Sequence, residues 1–182
     1  MHNIAPSKVK QKVSIKAFPK IEFKPTEEYT KELEYRIVNL DEQILYGKKT
    51  NVIETSDKKA IRDLWKECKT DGTLEFIIQN SKGNEKYYGA SEHIFTDEPQ
   101  NNRKYMNYFI LGKQKREDFS KLVIPKCTWA MFRLDSKEQK DILKLINAIY
   151  TKWLPSSKFK ENLPYPNLEI YYEDGRYYQT SR

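Results

Sequence analysis

The amino-acid sequence predicts an α+β protein in which a mostly antiparallel sheet carries two helices on one face. Two segments place apolar residues at helical spacing, and several others alternate apolar and polar residues as strands do. Beyond about residue 32, each half of the chain shows the order strand, helix, strand. Two helices on one face of a sheet bury both of their apolar stripes. We therefore expect duplicated strand-helix-strand-strand units.

The first half contains one clear helix, in SDKKAIRDLWKECKTDG. Its apolar residues recur at i, i+3, i+4 and i+7 and are Ile61, Leu64, Trp65 and Cys68. Ser56 can cap the start, and Gly72 follows the end. An extended segment precedes this helix, bent or hairpinned near Leu40–Gln43. A strand pair is expected in LEFIIQNSKGNEKYYGASEHIF, with Ser81–Asn84 as its turn and a bulge at Gly89.

The second half follows the same order. TWAMFRLDS and LEIYYED read as strands on either side of SKEQKDILKLINAIYTKWLP, the clearest helix in the chain. Ser136 and Gln139 have the spacing of a capping box, and Pro155 is expected to end the helix. The apolar stripe of this helix consists of Ile142, Leu145, Ile146, Ile149 and Trp153.

The composition is that of a globular domain, with 182 residues, 38% hydrophobic and 32% charged. There is no apolar run of the roughly 18 residues that span a bilayer, and no signal-peptide pattern at the N-terminus. Cys68 and Cys127 are far apart and belong to no ligand cluster, so we predict neither a metal site nor another cofactor. We expect a cytoplasmic protein without membrane contact.

The net charge of +7 is unevenly distributed. Residues 1–31 carry +4, from seven Lys and three Glu, which leaves +3 for residues 32–182. We interpret residues 1–31 as a linker or arm with a short strand at Lys20–Lys24, and residues 32–182 as the domain. The interspersed charges of that domain do not favour direct nucleic-acid binding.

Four segments resemble a known family. They are IRDLWKEC, YYGASEH, IPKCTWAMFRL and IYTKWLPSSKFKENLPYPNLEIYYED, the last with Trp-Leu-Pro, a Ser-rich turn, an aromatic residue and Glu-x-Tyr. In this order they resemble the GyrI-like effector-binding domain, which is attached to bacterial AraC-type and MerR-type transcription regulators. HNIAPSKVKQKVSIKAFPKIEFK looks like the junction after an AraC-type DNA-binding domain, absent from this chain, through which DNA would be contacted. The family has a further strand after Glu-x-Tyr, whereas here the sequence runs on as DGRYYQTSR, so that strand is apparently lacking or another segment takes its place.

The resemblance implies a ligand cleft on the sheet face without helices. Alternation then assigns Trp129 and Met131 to that face, and we assign Glu169 and Tyr171 to it as well, because Leu168 and Ile170 suit the helix side. Tyr88 and Glu92 share a strand face and either join the cleft or face water. We hypothesise that Glu169 pairs with a small, flat, lipophilic or cationic effector, as in multidrug binding. The alternative for Glu169 is a solvated surface residue.

Other functions stay open at this point. Some stand-alone relatives look like hydrolases of strained electrophilic rings, and here Glu169 would act as a general base beside Tyr171. The family's name also suggests a protein partner, through gyrase inhibition. A homodimer is a further alternative. Trp65 and Trp153 lie on helix stripes, which favours core packing for both.

Overall fold

Eight strands and three helices make up the described part of the protein. The computed structural model describes residues 33–53, 58–94, 105–136, 138–160 and 166–181. The strands are β1 (Tyr35–Leu40), β2 (Gln43–Ile53), β3 (Glu85–Ile94), β4 (Tyr105–Gly112), β5 (Ser120–Ile124), β6 (Cys127–Leu134), β7 (Asn167–Tyr172) and β8 (Tyr177–Ser181). The helices are α1 (Lys59–Thr70), α2 (Thr73–Gln79) and α3 (Gln139–Ala148). A π-helical segment, Ile149–Trp153, and a last helical turn, Leu154–Ser156, extend α3.

All eight strands belong to one antiparallel sheet, in the order β1-β6-β8-β7-β3-β4-β2-β5. The sheet is curled into a half-barrel. β5 and β6 are joined by only two residues, although β5 is at one end of the strand order and β6 is next to the other end. This short connection requires the sheet to curl, because its two ends must approach each other. The predicted α+β fold is confirmed.

The two faces of the sheet are both buried, but by different partners. On one face, side chains of β4 such as Tyr108 and Ile110 pack against Leu64 and Cys68 of α1. On the same face, Phe132 packs against Leu145 of α3. We call this the helix side. The opposite face, which we call the barrel side, is filled by a cluster of sheet residues: Leu45, Tyr88, Ala90, Phe109, Leu111, Leu122, Ile124, Trp129, Met131, Leu168, Ile170 and Tyr178.

One predicted strand is a helix. Residues 74–78 were expected to form the first strand of a pair, whereas α2 covers Thr73–Gln79. Gly72 has φ 79°, a left-handed conformation that turns the chain sharply after α1. Asp71 Oδ1 accepts a hydrogen bond of 2.9 Å from the Thr73 backbone N–H at the start of α2. Ile77 is then buried against α1 and β4.

Four further details correct the sequence analysis. β1 and β2 do not form a hairpin, since β1 pairs with β6 and β2 pairs with β4 and β5. β5 was not anticipated. Ser136 makes no capping box, because Glu138 precedes α3 and Ser136 Oγ donates instead to Asp141 Oδ2 at 2.8 Å. The strand expected to be lacking after Glu-x-Tyr is formed by β8, which lies between β6 and β7.

Two further expectations concern the N-terminal residues and membrane contact. The linker or arm assigned to residues 1–31 lies outside the described residues. Within the described ranges, the helices are too short or too polar to cross a lipid bilayer.

Candidate functional site

Glu169 of β7 is the centre of a hydrogen-bonded group on the helix side of the sheet. Its Oε2 atom accepts one hydrogen bond of 3.0 Å from the Tyr108 hydroxyl and another of 2.8 Å from the Tyr171 hydroxyl. The Tyr108 oxygen in turn accepts a hydrogen bond of 3.3 Å from Trp65 Nε1. The three partners come from β4, β7 and α1, so the group joins the sheet to the first helix.

Aromatic rings surround this carboxylate. The Tyr171 ring stacks on the Tyr87 ring, with centroids 4.6 Å apart and planes inclined by 20°. The Trp65 ring meets both of them edge-on, at 5.8 Å in each case. Tyr177 of β8 meets Tyr171 edge-on at 5.1 Å. Such ring pairs each contribute about 0.5–1.5 kcal/mol beyond their buried area, so these contacts help to hold the four rings in place around the carboxylate.

The backbone leaves room for Glu169 at Gly89. Gly89 of β3 is the residue directly opposite Glu169 of β7. A Cβ at position 89 would lie 2.7 Å from Glu169 Oε2 and 2.7 Å from the Tyr108 hydroxyl oxygen. Contacts of that length would force the end of one of these two side chains to shift, so the glycine lets the carboxylate and the hydroxyl meet at this position.

Burial dominates the ionisation of the group. Removal from water raises the pKa of the Glu169 carboxyl above 4.5, while the hydrogen bonds from Tyr171 and Tyr108 act in the opposite direction. Burial also raises the pKa values of Tyr108 and Tyr171 well above 10, and the nearby carboxylate adds to this effect. Both phenols are therefore hydrogen-bond donors at neutral pH.

The two carboxylate oxygens of Glu169 differ in their hydrogen bonds. Within the described ranges, Oε2 accepts two hydrogen bonds and Oε1 accepts none. The residue keeps partial access to solvent. A poorly solvated carboxylate of this kind, with ring faces beside it, attracts a cation that brings its own apolar surface.

The structure divides the predicted site residues between the two faces. Trp129 and Met131 lie on the barrel side, as predicted. The assignment of Glu169 and Tyr171 to that face is wrong, because Tyr171 packs on the helix side with Phe132 and Glu169 bonds to it there. The cause is that both faces are buried. Leu168 and Ile170 fill the half-barrel, and their alternation with Glu169 and Tyr171 does not reveal which face the helices cover.

The barrel side holds a packed core where a ligand cleft was expected. Trp129 is fully buried there, and its indole N–H is without a hydrogen-bond acceptor among the described residues. Tyr88 and Glu92 share this face as predicted. The Tyr88 hydroxyl donates to Glu85, and Glu92 Oε2 accepts a hydrogen bond of 3.0 Å from Asn107 Nδ2. The sheet itself separates Glu169 from the four predicted site residues on the barrel side: Trp129, Met131, Tyr88 and Glu92.

Four members of the Glu169 group were missed from the sequence: Trp65, Tyr87, Tyr108 and Gly89. Trp65 was assigned to the core, and it does pack against core residues of α1 and β4 while also donating to Tyr108. Gly89 was noted as a strand glycine, and the sheet irregularity lies instead between Glu85 and Tyr87. Nothing in a single sequence links Tyr108 to Glu169, which is 61 residues away.

This fold is that of a small-molecule binding domain. The chain belongs to the family described as GyrI-like small molecule binding domain, whose model matches residues 33–180. No curated protein is similar enough in sequence to count as a match.

Solved structures with the same fold share little sequence with this chain. A Staphylococcus aureus protein assigned to bacterial transcription regulation has a TM-score of 0.65 at 13% identity, covering 83% of this chain and 99% of its own. SAV2435 bound to tetraphenylphosphonium has a TM-score of 0.65 at 13% identity, covering 82% and 94%. An integron cassette protein from the mobile metagenome of Vibrio cholerae has a TM-score of 0.60 at 12% identity, covering 81% and 94%.

Proposed function

We propose that this chain is the effector-binding domain of an AraC-type bacterial transcription regulator and that it binds lipophilic cations at Glu169. The observation that carries the proposal is the Glu169 carboxylate, held by two tyrosine hydroxyls through Oε2 and enclosed by rings on the helix side. Oε1, which accepts no hydrogen bond from the described residues, is the atom expected to face the charge of the ligand.

The energetics favour a lipophilic cation over a small inorganic one. Burial removes much of the water from Glu169 and so raises the pKa of its carboxyl. A cation that carries apolar surface recovers Coulomb energy in this low-dielectric site and gains about 0.5–2 kcal/mol from each ring face it covers. A strongly hydrated ion would lose its own water without covering the rings.

The related structures support this choice of ligand class. SAV2435, which shares the fold, is bound to tetraphenylphosphonium, a cation whose charge is shielded by four phenyl rings. The Staphylococcus aureus protein with the same TM-score is assigned to transcription regulation. In a regulator, binding alters DNA affinity if the ligand prefers one arrangement of the domains over another.

The site chemistry supports binding over hydrolysis. General acid–base catalysis needs groups that exchange protons near neutral pH. In the hydrolytic alternative Glu169 itself would be the base. Tyr108 and Tyr171, which donate hydrogen bonds to it, have pKa values raised well above 10, so neither of them supplies a second acid or base near neutral pH. They fix the orientation of the carboxylate instead.

Calorimetric titration with tetraphenylphosphonium tests the proposal. We expect Glu169→Gln to weaken binding about 10- to 100-fold, the equivalent of about 1.4–2.8 kcal/mol, since the ion pair is lost and the shape is kept. Glu92→Gln is the matched control, because it makes the same chemical change on the barrel side. Neutral triphenylphosphine oxide should bind both variants and the wild type equally. Equal affinity of Glu169→Gln and wild type for the cation would refute the proposal.

A further inference from the structure

Among the described residues, β1 is an edge strand, and one row of its backbone groups has no neighbouring strand. In the described part of the chain it pairs with β6 alone. The Glu34 carbonyl accepts a hydrogen bond of 3.0 Å from the Arg133 N–H, so the backbone groups of even-numbered residues point toward β6. Hydrogen bonding alternates along an antiparallel strand, and the N–H and C=O groups of Tyr35, Ile37 and Asn39 therefore point away from the sheet.

The side chains along this edge are apolar and accessible. Tyr35 is 46% exposed and Ile37 is 43% exposed, both on the helix side. The Tyr35 ring is held at 5.7 Å from Phe132 and at 5.0 Å from Trp153, so it is a fixed surface feature. Apolar residues beside unpaired backbone groups are the usual marks of a strand that accepts another strand.

β5 forms the other edge of the sheet, and its sequence disfavours the addition of a strand. β5 has only five residues, includes Lys121 and is followed at once by Pro125. Short length, lysine and proline each discourage strand addition. β1 has six residues with no proline, glycine, lysine or register shift in Tyr35–Leu40. Of the two sheet edges that the described residues form, the β1 edge therefore suits strand addition better.

We propose that a second copy of this chain pairs antiparallel with β1, joining the two half-barrel sheets edge to edge. The two-fold axis is perpendicular to the sheet and lies midway between the two strands at Ile37, so Ile37 faces the partner's Ile37. Tyr35 then faces the partner's Asn39, and Asn39 faces the partner's Tyr35. Each of these three facing pairs exchanges two backbone hydrogen bonds.

This register suits the side chains as well as the backbone. Residues of the same face must meet, so the two strands can slide only in steps that keep odd residues opposite odd ones. Centring on Ile37 uses all three outward residues on both strands. It also places Arg36 opposite the partner's Val38, so no like charges meet, and it brings the two exposed isoleucines into contact.

Sedimentation equilibrium of the full 182-residue chain tests the pairing. Edge pairing buries less area than a standard interface, so the concentrations should extend to roughly 500 µM. We expect a dimer for the wild type and a monomer for Ile37→Lys, because two lysines would lie directly opposite each other. Val123→Lys is the matched control, since Val123 is 41% exposed on β5, and it should remain dimeric.

A charge-swap experiment fixes the register. Ile37→Glu should be monomeric for the same reason as Ile37→Lys, and an equimolar mixture of the two variants should restore the dimer. Circular dichroism melting checks that both variants are folded. The proposal is overturned by a wild type that stays monomeric, which is the result expected if residues 20–24 of the same chain occupy this edge. A dimer that survives Ile37→Lys, or a mixture that fails to associate, overturns it equally.

Discussion

Gly89 and Glu169 face each other on neighbouring strands, and a Cβ on Gly89 would lie 2.7 Å from Glu169 Oε2. The missing side chain on β3 is what allows the carboxylate of β7 to meet the Tyr108 hydroxyl of β4. The candidate site therefore depends on the bare backbone of one strand as much as on the side chains of its neighbours.

The first prediction concerns this contact. Gly89→Ala should weaken tetraphenylphosphonium binding about tenfold, because the new methyl group displaces Glu169 Oε2, and should cost about 1–3 kcal/mol of stability. Calorimetry and urea unfolding measure the two effects. Gly112→Ala is the control, since its Cβ would lie 2.7 Å from Ile77 Cγ2, away from Glu169. It should lose stability and keep its affinity, and a parallel loss of affinity in both variants would contradict the prediction.

The second prediction concerns the protonation of Glu169. Cation binding needs the carboxylate, so affinity should fall as the pH falls through the pKa of Glu169. Tyr171→Phe removes a hydrogen bond to the charged form and should raise that pKa, which moves the fall in affinity to higher pH. Titrations between about pH 4 and pH 9 locate the midpoint.

Tyr177→Phe is the control for this measurement. Its hydroxyl donates to Gln179 Oε1 at 2.5 Å and not to Glu169, so its midpoint should match the wild type. A midpoint that is the same in Tyr171→Phe and wild type would show that the hydroxyl does not act on the carboxylate.

The third prediction concerns the contact between α1 and β2. Lys48 Nζ lies 2.6 Å from Glu67 Oε1 and 2.5 Å from Asp71 Oδ2. Lys48→Met should lower the free energy of unfolding by about 1 kcal/mol at neutral pH. Lys59→Met removes the exposed pair with Asp63 on the same helix and should cost only about 0.3–0.5 kcal/mol.

The contribution of the Lys48–Asp71 contact to the free energy of unfolding depends on pH. The hydrogen bond from Lys48 lowers the pKa of Asp71 from 3.8 to about 2. Stability from the folded carboxylate is therefore present above pH 3.8 and is lost as the pH falls through about 2. Urea unfolding of the wild type and Lys48→Met should give converging stabilities in that range. A constant difference down to pH 2 would contradict the assignment to Asp71.

The fourth prediction separates the two faces of the sheet. Met131→Ala should cost about 2–5 kcal/mol of stability, because Met131 is buried in the barrel-side cluster. Its affinity for tetraphenylphosphonium should not change as long as the protein is folded. Met131→Leu, which nearly conserves volume, should cost less than about 1.5 kcal/mol. A tenfold loss of affinity in either variant would place Met131 in the binding site after all.

Local patterns predicted the elements that have strong periodicity. The apolar spacing of Leu64 and Cys68 predicted α1, and the alternation around Trp129 and Glu169 predicted β6 and β7. Residues 74–78 were misassigned because a short apolar run fits a strand or a helix equally well. Its helical form is stabilised by packing of Ile77 and by the turn at Gly72, which are tertiary and conformational effects.

By itself, the sequence determined the α+β class, the family resemblance and the choice of Glu169 as the central carboxylate. The tertiary structure alone decided which face Glu169 occupies and which groups surround it. The physical reason is that a strand pattern divides side chains into two sets without saying which set faces the helices, and curling of the sheet buries both. Tyr87, Tyr108 and Trp65 reach Glu169 only through strand order and helix packing, which join residues far apart in the chain.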